Sequence, residues 1–103
     1  MDILKQITSA IDYTEQNLCG EIDFDKIAKI ACVTQDSFMR FFSYMTGMSL
    51  KEYIRRRRMT LAAFDLQNSD DKIIDIAVKY GYESGEAFSR AFFKQHHKTP
   101  TDI

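Results

Sequence analysis

The sequence has almost none of the residues that interrupt helices. One proline and four glycines occur in 103 residues, too few for a β fold built from many tight turns. Tryptophan is absent, so the aromatic content rests on phenylalanine and tyrosine. Cysteine is scarce. Cys19 and Cys32 stand apart, without the Cys/His spacing of a metal site. Reduced thiols are expected, with no metal and no cofactor. No apolar run reaches spanning length and no secretory leader is seen, so a cytoplasmic protein without a membrane partner is expected. Charge of neither sign dominates. The formal net charge is −1, so contact with nucleic acid would require basic residues segregated onto one face. Catalytic signatures are missing too. There is no nucleophile–base pair and no glycine-rich phosphate loop, and His96-His97 falls at a helix end. An enzyme is not expected.

What is present is helical periodicity. Ile3, Ile7 and Ile11 recur every four residues, and Leu18 completes a first stripe that Cys19-Gly20 ends. Asp23 is an N-cap for a helix through Ala31, and Thr34 for one through about Met45. Asp70 or Asp71 would cap a helix through about Tyr80, and Ser84 one through about His96. Thr99-Pro100 could open a short seventh helix, with proline in the first turn. The fold class is all-α, with about seven helices.

The middle of the chain, 49–68, reads as one long helix. Ser49 and Glu52 have capping-box spacing, and no glycine or proline intervenes before Asn68. Leu50, Tyr53, Ile54, Leu61 and Phe64 make one apolar stripe. Arg57 falls on that stripe and should be partly buried beside a carboxylate, for which Asp75 is the candidate. Arg55, Arg56 and Arg58 fall off it. A lone basic run is more often a solvated face than a binding site.

The segments flanking this helix are similar to each other. Ile27-Ala28 aligns with Ile76-Ala77, Cys32-Val33 with Gly81-Tyr82, and Thr34 with Ser84. Phe38, Arg40 and Phe42 then align with Phe88, Arg90 and Phe92. Each copy reads as a short helix, a tight turn plugged by Val33 or Tyr82, a hydroxyl cap, and a second helix. Phe38, Phe41 and Phe42, like Phe88 and Phe92, would pin that helix to its partner. This is the pattern of helix-turn-helix, whose second helix presents its outer face to the DNA major groove. It predicts two helix-turn-helix subdomains, 1–48 and 69–103, joined by the linker helix 49–68.

The set Ile27-Ala28, Val33-Thr34, Phe38-x-Arg40-x-Phe42, Gly47-x-Ser49-Leu50, Tyr53-x-x-x-Arg57, Ala63-x-x-Leu66, Ile76-Ala77, Gly81-Tyr82-x-Ser84, Phe88-x-Arg90-x-Phe92 and Thr99-Pro100 resembles the DNA-binding domain of AraC/XylS-family bacterial transcription regulators. The resemblance covers nearly the whole chain. It implies a transcription regulator with both recognition helices on one side of double-stranded DNA, in successive major-groove segments. RNA polymerase is a further implied partner. Cys32 and His97 depart from the pattern, because glycine is usual at both positions. The ending Pro100-Thr101-Asp102-Ile103 lacks the usual aromatic and arginine. An effector or dimerisation domain following this one, absent from the chain, is therefore expected.

Roles follow from position. In the first recognition helix, 35–45, Gln35, Asp36, Met39 and Arg40 are candidates for base contact. Arg40 suits guanine O6 and N7, and Gln35 suits adenine. In the second, 84–96, the candidates are Gly85, Glu86, Ser89 and Arg90. Phosphate candidates are Thr34, Ser43, Tyr44, Arg55, Arg56, Arg58, Ser84, Lys94 and Lys98. Asp36 and Glu86 oppose phosphates. Fewer basic residues surround the second helix, so the first should read more bases. The competing expectation is a helical protein-interaction module using Met39, Tyr44, Met45, Met48 and Tyr53 without base readout.

Overall fold

Short polar side chains start most of the helices. The structure, a computed structural model, describes residues 2–103. Asp2 accepts a hydrogen bond from the Lys5 amide and opens α1 (Ile3–Gln16). Asp23 accepts from the Asp25 and Lys26 amides and opens α2 (Phe24–Ala31). Thr34, Ser49 and Ser84 take the amides of Ser37, Glu52 and Ala87, each at 3.1 Å. They open α3 (Gln35–Thr46), α4 (Leu50–Asn68) and α6 (Gly85–His96). Each cap satisfies an amide that the helix cannot, and is worth about 1 kcal/mol. A 3-10 turn, Pro100–Asp102, follows Thr99. There is no strand among the described residues, and the fold is all-α.

α5 (Ile73–Lys79) starts differently. Its N-cap residue is Lys72, without a side-chain cap bond, rather than Asp70 or Asp71. Those acids belong to the turn that ends α4. There the Ser69 hydroxyl donates to the Asp65 carbonyl at 2.7 Å and accepts the Asp71 amide at 3.3 Å. α1 also stops earlier than Cys19, because the Asn17 side chain donates to the Tyr13 carbonyl at 2.7 Å and closes the last turn.

The chain divides into two compact units, one ending at Ile54 and the other Arg55–Ile103. The first buries Ala10, Leu18, Ile27, Ala28, Ala31, Phe38, Phe42, Leu50 and Ile54. Thr14 is buried with them, and its hydroxyl donates to the Ala10 carbonyl at 3.0 Å. The second buries Met59, Ala62, Ile76, Ala77, Tyr80, Phe88 and Phe92. Each buried phenylalanine contributes about 1.5–3 kcal/mol relative to exposure.

Both units fold their turn in the same way. The Val33 amide donates to the Ala28 carbonyl at 3.1 Å, and the Tyr82 amide to the Ala77 carbonyl at 3.0 Å. The turning residue is left-handed in each, Cys32 at φ 60° and Gly81 at φ 86°. The recognition helices also end alike, on Gly47 at φ 78° and His97 at φ 58°. Each unit thus has glycine at one left-handed position and a side chain at the other, and the two units make opposite choices.

Four apolar residues do not lie where the sequence suggested, and the first is Ile3 of the α1 stripe, 66% exposed. Val33 is 46% exposed, so only Tyr82 plugs its turn, edge-on to Phe88 at 5.7 Å. Phe41 is 40% exposed, off the inner face that Phe38 and Phe42 share. Phe64 is 63% exposed. A single stripe along α4 was the wrong pattern. In the first unit α4 buries Leu50 and Ile54, with Tyr53 half-buried. In the second it buries Met59 and Ala62, with Ala63 and Leu66 packed beside them. Each set has helical spacing, but they are out of phase, and Phe64 belongs to neither.

Polar contacts tie the second unit together. Asp65 of α4 accepts from the Tyr80 hydroxyl at 2.6 Å and from Lys79 Nζ at 2.9 Å. From α6, the Gln95 amide donates to the Arg56 carbonyl at 3.1 Å, and a His96 ring nitrogen bonds the Met59 carbonyl at 3.1 Å. His96 also lies against Phe92, with 4.4 Å between ring centroids.

Candidate nucleic-acid interface

Phenylalanines set which way each second helix faces. Phe38 and Phe42 are four apart and buried, so α3 turns one side inward. Arg40, midway between them, is 81% exposed at its side chain. Gln35, Asp36, Ser43 and Tyr44 are exposed as well, and Met39 is half-buried. α6 repeats the arrangement. Phe88 and Phe92 are buried, Glu86, Arg90 and Lys94 are exposed, and Ser89 is half-buried.

In the first unit two of these side chains are already held by acids. Arg40 Nε lies 3.1 Å from Asp36 Oδ2, one helical turn earlier. Both groups are largely in water, so the pair is worth at most about 1 kcal/mol and yields readily to a better acceptor. The Gln35 amide donates to the Asp25 carboxylate of α2. Asp25 was not among the sequence-derived candidates. It is ten residues from Gln35, and only the packing of α2 on α3 brings them together. The Thr34 hydroxyl, besides capping α3, donates to Ser37 Oγ at 2.9 Å.

The arginines of α4 divide by exposure. Arg55 and Arg56 are exposed, whereas Arg57 and Arg58 are half-buried. Arg57 is half-buried, as its spacing implied, and Asp75 is exposed on α5. Arg58 reaches the turn of the second unit, where its Nη1 lies 3.8 Å from the position a Cβ on Gly81 would take. Tyr82 is beside it. Burial raises the Tyr82 phenol above its usual range, against the pull of Arg55 and then Arg58 toward the phenolate. Tyr82 therefore keeps its proton and remains a donor near two guanidinium groups. Ser84 and Lys98 are exposed at the two ends of α6.

Asp65 is also shifted. Burial would raise its carboxyl, but the Tyr80 hydroxyl and then Lys79 outweigh that and hold it below the usual carboxylate range. It is structural, because it joins α4 to α5 inside one unit.

Two helix-turn-helix units, each with a hydroxyl-capped second helix that exposes an arginine between two buried phenylalanines, define a double helix-turn-helix DNA-binding domain. A helix-turn-helix domain family model matches residues 27–103. The chain belongs to this family, of AraC/XylS type. The regulatory protein SoxS of Escherichia coli K12 is 35% identical over 98 residues, which is 95% of this chain and 92% of SoxS. The transcriptional regulator YbfP of Bacillus subtilis is 38% identical over 96 residues, 93% of this chain but only 32% of YbfP. Among solved structures, an AraC-type transcriptional regulator from Chromobacterium violaceum superposes with a TM-score of 0.87 at 25% identity, covering 96% of this chain and 88% of that one. The DNA-binding domain of AdpA, solved with a target DNA, has the same fold, with a TM-score of 0.82 at 22% identity over 93% of this chain and 86% of that one. This chain is accordingly a sequence-specific DNA-binding domain of a transcription regulator. The competing expectation, a helical module without base readout, gives way to that membership.

Proposed function

We propose that α3 and α6 read base edges, with α3 the stronger reader. Arg40 and Arg90 are the principal readers and favour guanine, where a guanidinium reaches O6 and N7 together. Gln35, Asp36 and Met39 complete the first reading face, and Glu86 and Ser89 the second. Thr34, Ser43, Tyr44, Ser84, Lys94, Lys98, Arg55, Arg56 and Arg58 contact phosphates and fix the register. The observation that carries this reading is the repeated exposure of an arginine between two buried phenylalanines. A solvated surface has no reason to repeat that position twice behind the same cap.

Asp36 has a second role in this reading. Its carboxylate holds Arg40 until a guanine replaces it, and it repels phosphates that would otherwise attract Arg40 without regard to sequence. RNA polymerase is the proposed protein partner. A relative named as a transcriptional activator, AarP of Providencia stuartii, 38% identical over 86 residues, supports it. A sensing or dimerisation domain beyond this chain is proposed on the same footing, supported by the greater length of YbfP. The proposed site of action is the cytoplasm.

Selection of bound sequences from random duplexes, followed by gel-shift titration of the winner, tests the reading. A defined site should emerge, and Arg40→Ala should lose its preference at one base pair. Recovery of duplexes with no common sequence would overturn it.

A further inference from the structure

The position that holds Gln35 is not shared by the two units. The alignment that matches Ile27 with Ile76 and Thr34 with Ser84 pairs Asp25 with Ile74 and Gln35 with Gly85. Both pairs meet in space. Gln35 bonds Asp25, and a Cβ on Gly85 would lie 3.9 Å from Ile74 Cδ1. The same junction between the two helices is thus a polar clasp in the first unit, while in the second it faces Ile74 and carries no reading side chain.

The chemistry of the clasp fixes the amide. A carboxylate only accepts hydrogen bonds, so it must face the NH2 end of Gln35 and not its oxygen. One N–H is occupied, and the edge left for a base has one acceptor, Oε1, and one donor. Adenine presents the complement of that edge, an N6 donor beside the N7 acceptor. Guanine presents two acceptors, O6 and N7, and would need both amide protons. We infer that Asp25 is a specificity-determining positioning residue. By holding one proton of Gln35 it keeps the glutamine reading adenine and bars it from guanine. The inference rests on the reading in which Gln35 faces a base.

The test is sequence selection, with affinities on the selected duplex and on its adenine-to-guanine variant, for the intact chain and for Asp25→Ala, Asp25→Asn and Gln35→Ala. The intact chain should prefer adenine at one base pair. Asp25→Ala should lower that preference by about fivefold or more, the scale of one bidentate contact. Every other position and the salt dependence should stay unchanged. Asp25→Asn should keep most of the preference, because its carbonyl still accepts the Gln35 N–H. If Asp25→Ala and Asp25→Asn raised affinity equally for all duplexes without changing base preference, Asp25 would be a simple repulsive charge and the inference would fail. If Gln35→Ala changed preference at no position while Arg40→Ala did, Gln35 would be no reader, and that part of the functional reading would fail with it. Thermal unfolding of each variant separates these results from loss of fold.

Discussion

At the scale of single residues, backbone angle and side-chain exposure decide most outcomes. Cys32 and His97 hold left-handed angles that cost a residue with a Cβ about 1–2 kcal/mol. Cys32→Gly should raise stability by up to about 1 kcal/mol, after glycine's greater unfolded freedom is subtracted. His97→Gly should gain less, since it gives up an edge contact with Phe93 at 6.4 Å. Gly47→Ala and Gly81→Ala should lower stability by a similar amount. Urea unfolding checks all four. Arg40 and Arg90 predict a second ranking. Arg40→Ala should cost about 1–3 kcal/mol on the selected duplex and relax one base pair, and Arg90→Ala should cost less. Equal losses by fluorescence anisotropy titration would overturn the order.

At the scale of elements, the Asp65–Tyr80–Lys79 contact predicts a pH dependence. The Asp65 carboxyl is depressed in the fold. Its contribution is therefore present above the unfolded aspartate value of about 3.9, and is lost as pH falls through the lower folded value. Thermal unfolding at a series of pH values should show this loss in the intact chain and a flatter response in Asp65→Asn. Tyr80→Phe should cost about 1–2 kcal/mol at neutral pH, because a charged hydrogen bond goes while the ring still packs. The elements were also what the sequence revealed best. Caps at Asp23, Thr34, Ser49 and Ser84 could be read because a short oxygen-bearing side chain before an apolar repeat has few other uses. The start of α5 could not, because Asp70, Asp71 and Ser69 are equally good turn formers, and the α4 turn took them. Phe64 was misplaced because α4 serves two cores in turn and one period cannot describe both. Asp25 was illegible as a site residue because its partner is brought to it by packing between helices.

At the scale of the whole molecule, a net charge of −1 must be reconciled with a polyanionic partner. Affinity should fall with salt by about 0.9 in log K per log salt for each phosphate contact. Arg55→Ala and Lys94→Ala should each flatten that slope by about 1 and leave the selected sequence unchanged. A changed sequence preference would instead mark either residue as a base reader. An acid such as Asp36 then keeps general attraction weak, so that base readout carries a larger share of the affinity.

The alternation of buried phenylalanine and exposed arginine along α3 and α6 also bears on inheritance. The positions that hold each helix down and the positions that face outward are different letters of the sequence. Mutation can redraw Gln35, Asp36, Met39 and Arg40, or Glu86, Ser89 and Arg90, without disturbing Phe38, Phe42, Phe88 or Phe92. If both units read bases as proposed, new operators can be acquired one unit at a time while the other keeps the protein attached to its old gene. A library confined to those seven positions is the natural place to look for regulators with altered targets.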